Sequence, residues 1–301
     1  MKALIFGAGG QDGQYLAKAC RTRGIDYIGI SRSAGDWIQG DVAAFAFVKE
    51  LIRAEKPDLV FHLAANSTTR HDCIFEHHRT IGEGALNILE SVRLWAPDCK
   101  VFITGSGLQF LNRGKPLMET DPFDDSSSYA TVRNYSVHLA RYFRRLGVRT
   151  YVGYLFHHES PLRKQNHVSQ MIVQAVKRIA DGSREKIELG DVAVRKEWTF
   201  VGDIVEGILT LVGQDRIHEA VIGSGLPYSI EDWLATCFGL IGRDWHDHVI
   251  IKEGFKAEYP LLVSDPGTMA GLGWHASVNL ADLAGLMLNA TPEQHNVPST
   301  S

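Results

Sequence analysis

Short apolar runs alternate with longer amphipathic segments through the first half of the chain. Five runs have the length and apolar content of buried strands: Lys2–Phe6, Asp26–Ser31, Asp58–Leu63, Lys100–Thr104 and Val148–Phe156. The amphipathic segments between them predict helices at Gln11–Arg23, Ala43–Glu55, Phe75–Trp95 and Ser128–Leu146. Strands that alternate with helices are typical of a parallel sheet covered on both faces. The pattern therefore predicts an α/β fold with a Rossmann-type, doubly wound parallel sheet.

The regular alternation stops after Phe156 and returns between Trp198 and Ile222. We expect residues 1–156 and about 198–222 to form the sheet domain. Residues of about 157–197 and 223–290 are expected to form a smaller, discontinuous α/β domain for the substrate, and the polar residues 291–301 a flexible tail. Gly24 and Gly147 follow two predicted helices, where a left-handed helix end favours glycine.

A glycine-rich loop joins the first predicted strand to the first predicted helix. Its sequence is Gly7-Ala8-Gly9-Gly10-Gln11-Asp12-Gly13. Glycines at 7, 10 and 13 permit a tight turn, close approach to a pyrophosphate and close packing of the helix on the strand. The helix N-terminus adds N–H groups and a positive dipole. The loop therefore predicts a dinucleotide cofactor.

The end of the second predicted strand distinguishes the two nicotinamide cofactors. An acidic residue there would bind the ribose 2′-hydroxyl and repel a 2′-phosphate. The chain has Ser31-Arg32-Ser33 instead, with no carboxylate and one guanidinium. Because Arg32 can bind a phosphate and stack on adenine, we expect NADP(H).

Composition and charge exclude several classes of protein. The 301 residues are 45% apolar and 22% charged, with a net charge of −4, which argues against nucleic-acid and anionic-membrane partners. We find neither a run that could span a bilayer nor a signal peptide at MKALIFGAGG. Four scattered cysteines favour a reduced, cytoplasmic protein. No metal site is expected, since the adjacent His77 and His78 cannot face one ion from a regular helix.

Tyr129 precedes Arg133 by four residues, which places both side chains on one face of a helix. Together with the glycine loop, this resembles the extended short-chain dehydrogenase/reductases, which have lysine at the second position. Further motifs are most similar to the GDP-mannose 4,6-dehydratase group: Gly10–Ala17, Leu155–Pro161, Leu189-Gly190, Arg195–Trp198, Ser264–Pro266 and Leu272–Trp274. The resemblance extends from Lys2 to about Leu288.

The resemblance implies a set of cofactor and substrate contacts. The residues expected around the cofactor are Gly7, Gly9, Gly10, Gln11, Asp12, Arg32, Asp41, Val42, Leu63, Ala64, Ala65, Ser67, Tyr129, Arg133, His158 and Arg163. The residues expected to bind the substrate, a GDP-sugar, are Asn66, Ser106, Arg195 and Lys196, with the two basic side chains near its phosphates.

The end of the fourth predicted strand departs from the dehydratase pattern. A 4,6-dehydratase removes a proton from C5 and expels water from C6, so it needs an acid/base carboxylate. The resemblance implies a hydroxyl residue and a glutamate on either side of Ser106, but Gly105 and Gly107 occupy those positions. A C3/C5 epimerase of the fucose pathway would have a cysteine where Leu108 stands.

Ser106 and Tyr129 are the pair that carbonyl reduction requires. Tyr129 would donate a proton to the ketone oxygen, and Ser106 would hold that oxygen by a hydrogen bond. Arg133 can supply the positive charge and ribose contacts of the family lysine, although it stays protonated and so cannot pass a proton onward.

We therefore expect an NADPH-dependent reductase that acts on the C4 ketone of a GDP-4-keto-6-deoxy hexose or heptose. Its expected catalytic residues are Ser106, Tyr129 and Arg133. We also expect a homodimer that can associate with the upstream dehydratase. One alternative is a dehydratase or epimerase that uses other acid/base residues. The other is a non-catalytic NADP-binding regulatory or partner subunit.

Overall fold

The computed structural model of the chain describes residues 1–252, 254 and 259–290. Its strands in the first half are β1 (Lys2–Phe6), β2 (Asp26–Ser31), β3 (Ile38–Gln39), β4 (Leu59–His62), β5 (Lys100–Ser106) and β6 (Arg149–Leu155). The later strands are β7 (His158–Glu159), β8 (Ile187–Leu189), β9 (Arg195–Glu197), β10 (Thr199–Phe200), β11 (Glu219–Ile222), β12 (Pro227–Ser229), β13 (Val249–Ile251) and β14 (Leu261–Leu262).

Seven of these strands form a central sheet in the order β11-β6-β5-β4-β1-β2-β3. All neighbouring pairs in it are parallel. The predicted α/β class with a Rossmann-type sheet is confirmed. β5 is two residues longer than its predicted bounds, because Gly105 and Ser106 still pair with Tyr154 and Leu155 of β6.

The helices of the first half are α1 (Gln11–Thr22), α2 (Phe45–Glu55), α3 (Ile74–His77), α4 (Gly84–Trp95) and α5 (Ser128–Arg145). Those of the second half are α6 (Val168–Ala180), α7 (Val201–Val212), α8 (Ile230–Gly239), α9 (Gly267–Gly271) and α10 (Leu280–Leu288). A π-helical segment, His78–Glu83, joins α3 to α4, so one continuous helix contains a widened turn. Gly24 and Gly147 have φ values of 67° and 95°, which confirms the two left-handed helix ends.

Two apolar cores lie on the two faces of the sheet. On one face α2, α4 and α5 pack, and on the other α1 and α7 pack. Leu4 and Ile5 enter different cores, because successive side chains of a strand point to opposite faces. A third core lies among α6, α8 and α10, around Trp198 and Trp233. Among the described residues, no helix combines the length and apolar character that crossing a bilayer requires. The expected tail, residues 291–301, lies outside the described residues.

Candidate active site

The glycine loop between β1 and α1 leaves no room for a side chain at Gly7 or Gly13. Gly7 has a φ of 100°, and a Cβ there would lie 2.7 Å from the backbone nitrogen of Ala64. A Cβ on Gly13 would lie 2.3 Å from the carbonyl oxygen of Gly7. The loop thus lies directly against the segment that follows β4, which contains Leu63, Ala64, Ala65, Asn66 and Ser67.

The N-terminus of α1 leaves its N–H groups open. Gly10 is the N-cap residue, and within the described part of the chain no side chain caps this helix. Free N–H groups and the helix dipole at this point suit a phosphate. These features and the close approach of Gly7 to Ala64 fit a dinucleotide at the carboxyl ends of β1 and β4.

Two residues of α1 connect the loop to the segment after β6. His158 Nε2 lies 3.1 Å from Asp12 Oδ1, and Ser160 Oγ donates to Gln11 Oε1 at 2.9 Å. Burial alone would raise the pKa of Asp12, but His158, Arg163 and Arg133 outweigh it and hold the pKa below its ordinary value. The structure therefore brings the expected cofactor residues Gln11, Asp12 and His158 together.

The end of β2 carries two ion pairs. Arg32 hydrogen-bonds Glu76 of α3, and Arg79 Nη2 donates to Asp41 Oδ2 at 2.9 Å. Val42 is buried, and its carbonyl oxygen accepts a hydrogen bond from Asn87. Arg32, Asp41 and Val42 therefore lie along the helix that runs from α3 to α4, next to Glu76, Arg79 and Asn87 respectively.

Tyr129 and Arg133 form a buried pair at the end of β5. Arg133 Nε donates to the Tyr129 hydroxyl at 3.1 Å, and Nη1 of the same side chain donates to the carbonyl oxygen of Thr104. The two residues are 5% and 3% exposed. Arg133 also lies over the Tyr129 ring, 5.1 Å from its centroid. The predicted i, i+4 contact on α5 is present, and it ties the tyrosine to β5.

Ser106 ends β5 and caps the short 3-10 turn that follows, Gly107–Gln109. Leu108 N donates to Ser106 Oγ at 3.2 Å, so the hydroxyl proton is left for another acceptor. Gln109 accepts from the Ser106 N–H at 2.8 Å and donates to Asn134 of α5 at 3.1 Å. The end of β5 is thereby fixed to the helix that carries Tyr129.

Side chains at Gly105 and Gly107 would meet filled space. A Cβ at Gly105 would lie 2.6 Å from Cδ1 of Tyr154. A Cβ at Gly107 would lie 2.9 Å from Cε1 of Phe156. Tyr154 and Phe156 are both buried. The acid/base side chains that the resemblance places at 105 and 107 could therefore enter only if these aromatic rings moved.

A second charged cluster surrounds Glu159 of β7. His157 Nε2 lies 2.9 Å and Arg163 Nε 3.4 Å from its carboxylate oxygens. Burial would raise the pKa of Glu159, but Arg163 and His157 outweigh it and the pKa falls below its ordinary value. Burial lowers the pKa of the nearby Lys196 to about 8.

Of the expected substrate residues, Lys196 lies beside that cluster, whereas Arg195 and Asn66 make their contacts elsewhere. Arg195 is exposed and donates to the Pro227 carbonyl at 3.2 Å. Lys196 Nζ lies 4.9 Å from the ring centre of the buried Trp198. Asn66 Nδ2 lies 3.8 Å from Cys73 Sγ. The expected substrate residues are thus spread over two regions rather than gathered in one.

The family model for GDP-mannose 4,6 dehydratase matches residues 4–287. The chain belongs to the GDP-mannose 4,6-dehydratase family. It is 28% identical over 319 residues to GDP-mannose 4,6 dehydratase 1 of Arabidopsis thaliana, which covers 95% of this chain and 88% of the relative. The family is part of the extended short-chain dehydrogenase/reductases, so the chain is an enzyme of that class.

Solved structures share the fold at lower identity. RMD from Pseudomonas aeruginosa, complexed with NADPH, has a TM-score of 0.83 and 17% identity over 95% of this chain and 97% of that one. The dTDP-glucose 4,6-dehydratase of Bacillus anthracis, in complex with NAD, has a TM-score of 0.82 and 15% identity over 96% and 95% of the two chains. These likenesses confirm the family's sheet architecture in this chain.

Sequence reasoning missed His77 as a neighbour of the family tyrosine. His77 is fully buried, its Nδ1 lies 3.1 Å from Ser128 Oγ, and its ring meets the Tyr129 ring edge-on at 5.6 Å. Burial, followed by Arg133, lowers its pKa. Glu76 and Arg79 were missed as well. All three lie within the predicted helix Phe75–Trp95, but the hydrophobic pattern does not show which distant side chains they contact.

Proposed function

We propose that this family member reduces the C4 ketone of a GDP-4-keto-6-deoxy hexose or heptose with NADPH. The observation that carries the proposal is the buried Tyr129–Arg133 pair at the end of β5, combined with filled space at Gly105 and Gly107. The residues expected around NADPH are those of the glycine loop, Arg32, Asp41, Val42, the 63–67 segment, His158 and Arg163. NADPH, when bound, supplies a hydride to the carbon of the ketone.

Tyr129 is proposed to protonate the ketone oxygen as negative charge develops on it. Ser106 donates its free hydroxyl proton to the same oxygen. Arg133 stabilises the tyrosinate left behind, since its Nε already donates to that oxygen. The product is the C4 alcohol, and solvent returns the proton to Tyr129.

A second candidate is 4,6-dehydration, which the match to the dehydratase family model and the identity to the Arabidopsis thaliana relative favour. It requires an acid/base group to take the C5 proton and release the C6 hydroxyl as water. The steric contacts at Gly105 and Gly107 weigh against it. We therefore rank reduction first.

The substrate is proposed to bind with its GDP portion in a domain formed by about 157–197 and 223–290. The cofactor would bind in the sheet domain, which consists of residues 1–156 and about 198–222. Lys196 and Arg195 are proposed phosphate contacts, and Asn66 and Ser106 are proposed to reach the sugar. Lys196 is the stronger candidate of the two cations, because it is partly buried beside Glu159 while Arg195 is exposed.

A homodimer in the cytoplasm, able to associate with the dehydratase that makes its substrate, completes the proposal. All four cysteines are described and unpaired, as suits a reducing compartment. Leu86 and Leu94 of α4 and Tyr135 and Tyr142 of α5 are exposed, which supports these helices as the dimer face. Light scattering of the purified protein tests the subunit number.

The deciding experiment offers the protein two substrates. One is GDP-mannose with NADP, and the other is its 4-keto-6-deoxy product with NADPH. We expect NADPH consumption and a GDP-6-deoxy sugar from the ketone, and no turnover of GDP-mannose. Production of the 4-keto sugar from GDP-mannose would instead establish the second candidate. Tight NADPH binding without either reaction would contradict both.

A further inference from the structure

Two arginine–carboxylate pairs lie near each other beyond the ends of β2 and β3, close enough that Arg32 interacts with Asp41 and Glu76 with Arg79. Arg32 is paired with Glu76, and Arg79 with Asp41. Two positive and two negative charges balance here, so this edge is not the cationic pocket that Arg32 alone would make. Arg32 is expected to bind a 2′-phosphate, and the neighbouring carboxylate of Glu76 would repel that phosphate.

Glu76 is fixed in its position by two donors. Its Oε1 accepts hydrogen bonds from Arg32 and, at 3.1 Å, from Oγ1 of the buried Thr80. The hydrogen bond from Arg32 holds the pKa of Glu76 below its ordinary value, so the carboxylate is ionised at neutral pH. Its side chain is 32% exposed, so a ligand at the end of β2 can reach it.

We propose that Glu76 limits the preference for NADP(H) over NAD(H), because its carboxylate competes with a 2′-phosphate for Arg32. The inference rests on the proposed function, in which Arg32 binds that phosphate. To bind, the phosphate must displace Glu76 from Arg32, and it then lies near a second negative charge. A ribose 2′-hydroxyl can instead donate to the same carboxylate. Glu76 thus acts from α3 as an acid at the end of β2 would act.

The test measures cofactor binding without any sugar substrate. Dissociation constants for NADPH and NADH are determined by fluorescence titration of the full chain, the variants Glu76→Gln and Arg32→Ala, and the double variant. Glu90→Gln is the matched control, because Glu90 has the same 32% side-chain exposure as Glu76 but lies on α4 and is paired with Arg93 instead of Arg32. NADH binding also reports that each variant has folded.

We expect Glu76→Gln to raise the preference for NADPH over NADH about tenfold, and Glu90→Gln to leave it unchanged. In the Arg32→Ala background the effect of Glu76→Gln should shrink. An unchanged preference in Glu76→Gln, an equal shift in Glu90→Gln, or an undiminished effect without Arg32 would each overturn the inference. Turnover of the 4-keto sugar is measured separately, so failure of the reductase proposal is recognised independently of this result.

Discussion

Two arginines near the carboxyl ends of β2 and β5, Arg32 and Arg133, differ in how their partners hold them. Arg133 is 3% exposed, and its fork donates to the Tyr129 hydroxyl and the Thr104 carbonyl. The Arg32 side chain is 54% exposed and is paired with a single carboxylate. A buried, doubly bonded guanidinium is fixed before any ligand arrives, whereas an exposed ion pair contributes about 0–1 kcal/mol and can exchange partners. The fixed guanidinium of Arg133 suits a role in the reaction step, and the exchangeable pair of Arg32 suits binding of a ligand phosphate.

The largest effect is expected at the buried pair, from Tyr129→Phe. Loss of the proposed proton donor should lower the rate of ketone reduction by about 10²–10⁴-fold, while NADPH binding changes little. Single-turnover kinetics and fluorescence titration measure the two quantities. Tyr27→Phe, at a partly exposed tyrosine of β2 whose hydroxyl accepts from Arg21, is the control and should behave as wild type. Reduction at the wild-type rate in Tyr129→Phe would refute the tyrosine mechanism.

Next in size are substitutions of Arg133. Arg133→Ala should lower the rate of ketone reduction roughly 100-fold and weaken the binding of NADPH, because Thr104 and Tyr129 lose their hydrogen-bond donor. Arg133→Lys restores the family residue, yet one ammonium does not reproduce a fork that reaches two separate acceptors. We expect it to lose about tenfold in rate. A rate equal to or above wild type with lysine would show that the chain merely tolerates arginine.

At the exposed pair, Arg32→Ala should weaken NADPH binding by about tenfold, less than a buried phosphate contact would lose. NADH binding should change little, since it has no 2′-phosphate. Isothermal titration with both cofactors measures this. Equal affinity of the wild type for the two cofactors would contradict the assignment of NADP(H).

Lys196 is a third cation that can be compared with the two arginines, and it is partly buried near Glu159. Because its pKa is lowered to about 8, it loses its charge as pH rises through that value. GDP binding should therefore weaken roughly threefold between pH 7 and pH 9. The same pKa shift also affects folding. Between about pH 8 and pH 10.5, Lys196 binds more protons in the unfolded chain than in the folded chain. The free energy of unfolding therefore rises with pH over that range.

Lys196→Met should abolish the pH effect on GDP binding, and the exposed Lys164→Met is the control. The dependence is followed by titration with GDP in matched buffers. A pH profile that is identical in wild type and Lys196→Met would exclude Lys196 as a phosphate contact.

Local spacing carried most of what the sequence could predict. The i, i+4 relation of Tyr129 and Arg133, the glycine loop and the strand boundaries all depend on residues that are near in the chain. The carboxylates beside Arg32 and Lys196 come instead from distant parts of the chain, since Glu76 follows Arg32 by 44 positions and Glu159 lies on a different strand from Lys196. Hydrophobic periodicity does not encode such pairings.

The packing at the end of β5 could not be predicted from the sequence either. Gly105 and Gly107 could be recognised as departures from the family pattern, but not as positions filled by Tyr154 and Phe156. His77 illustrates the same limit. It was considered as a metal ligand, and the structure places it against Ser128 and Tyr129. Among the described residues no group of three metal-ligating side chains is assembled.

The π-helical segment His78–Glu83 determines in which direction the side chains of the preceding helix, α3, point. A widened turn accommodates one residue more than an α-helix would, and each residue of an α-helix turns the chain by about 100°. Deleting one residue from this segment would restore an uninterrupted α-helix and leave the core side chains of α4, such as Ile88 and Leu89, in place. Glu76 and His77 would then rotate away from Arg32 and Ser128. A change of one residue in length, with the core side chains of α4 in place, would thus separate Glu76 from Arg32 and shift the balance between the two cofactors.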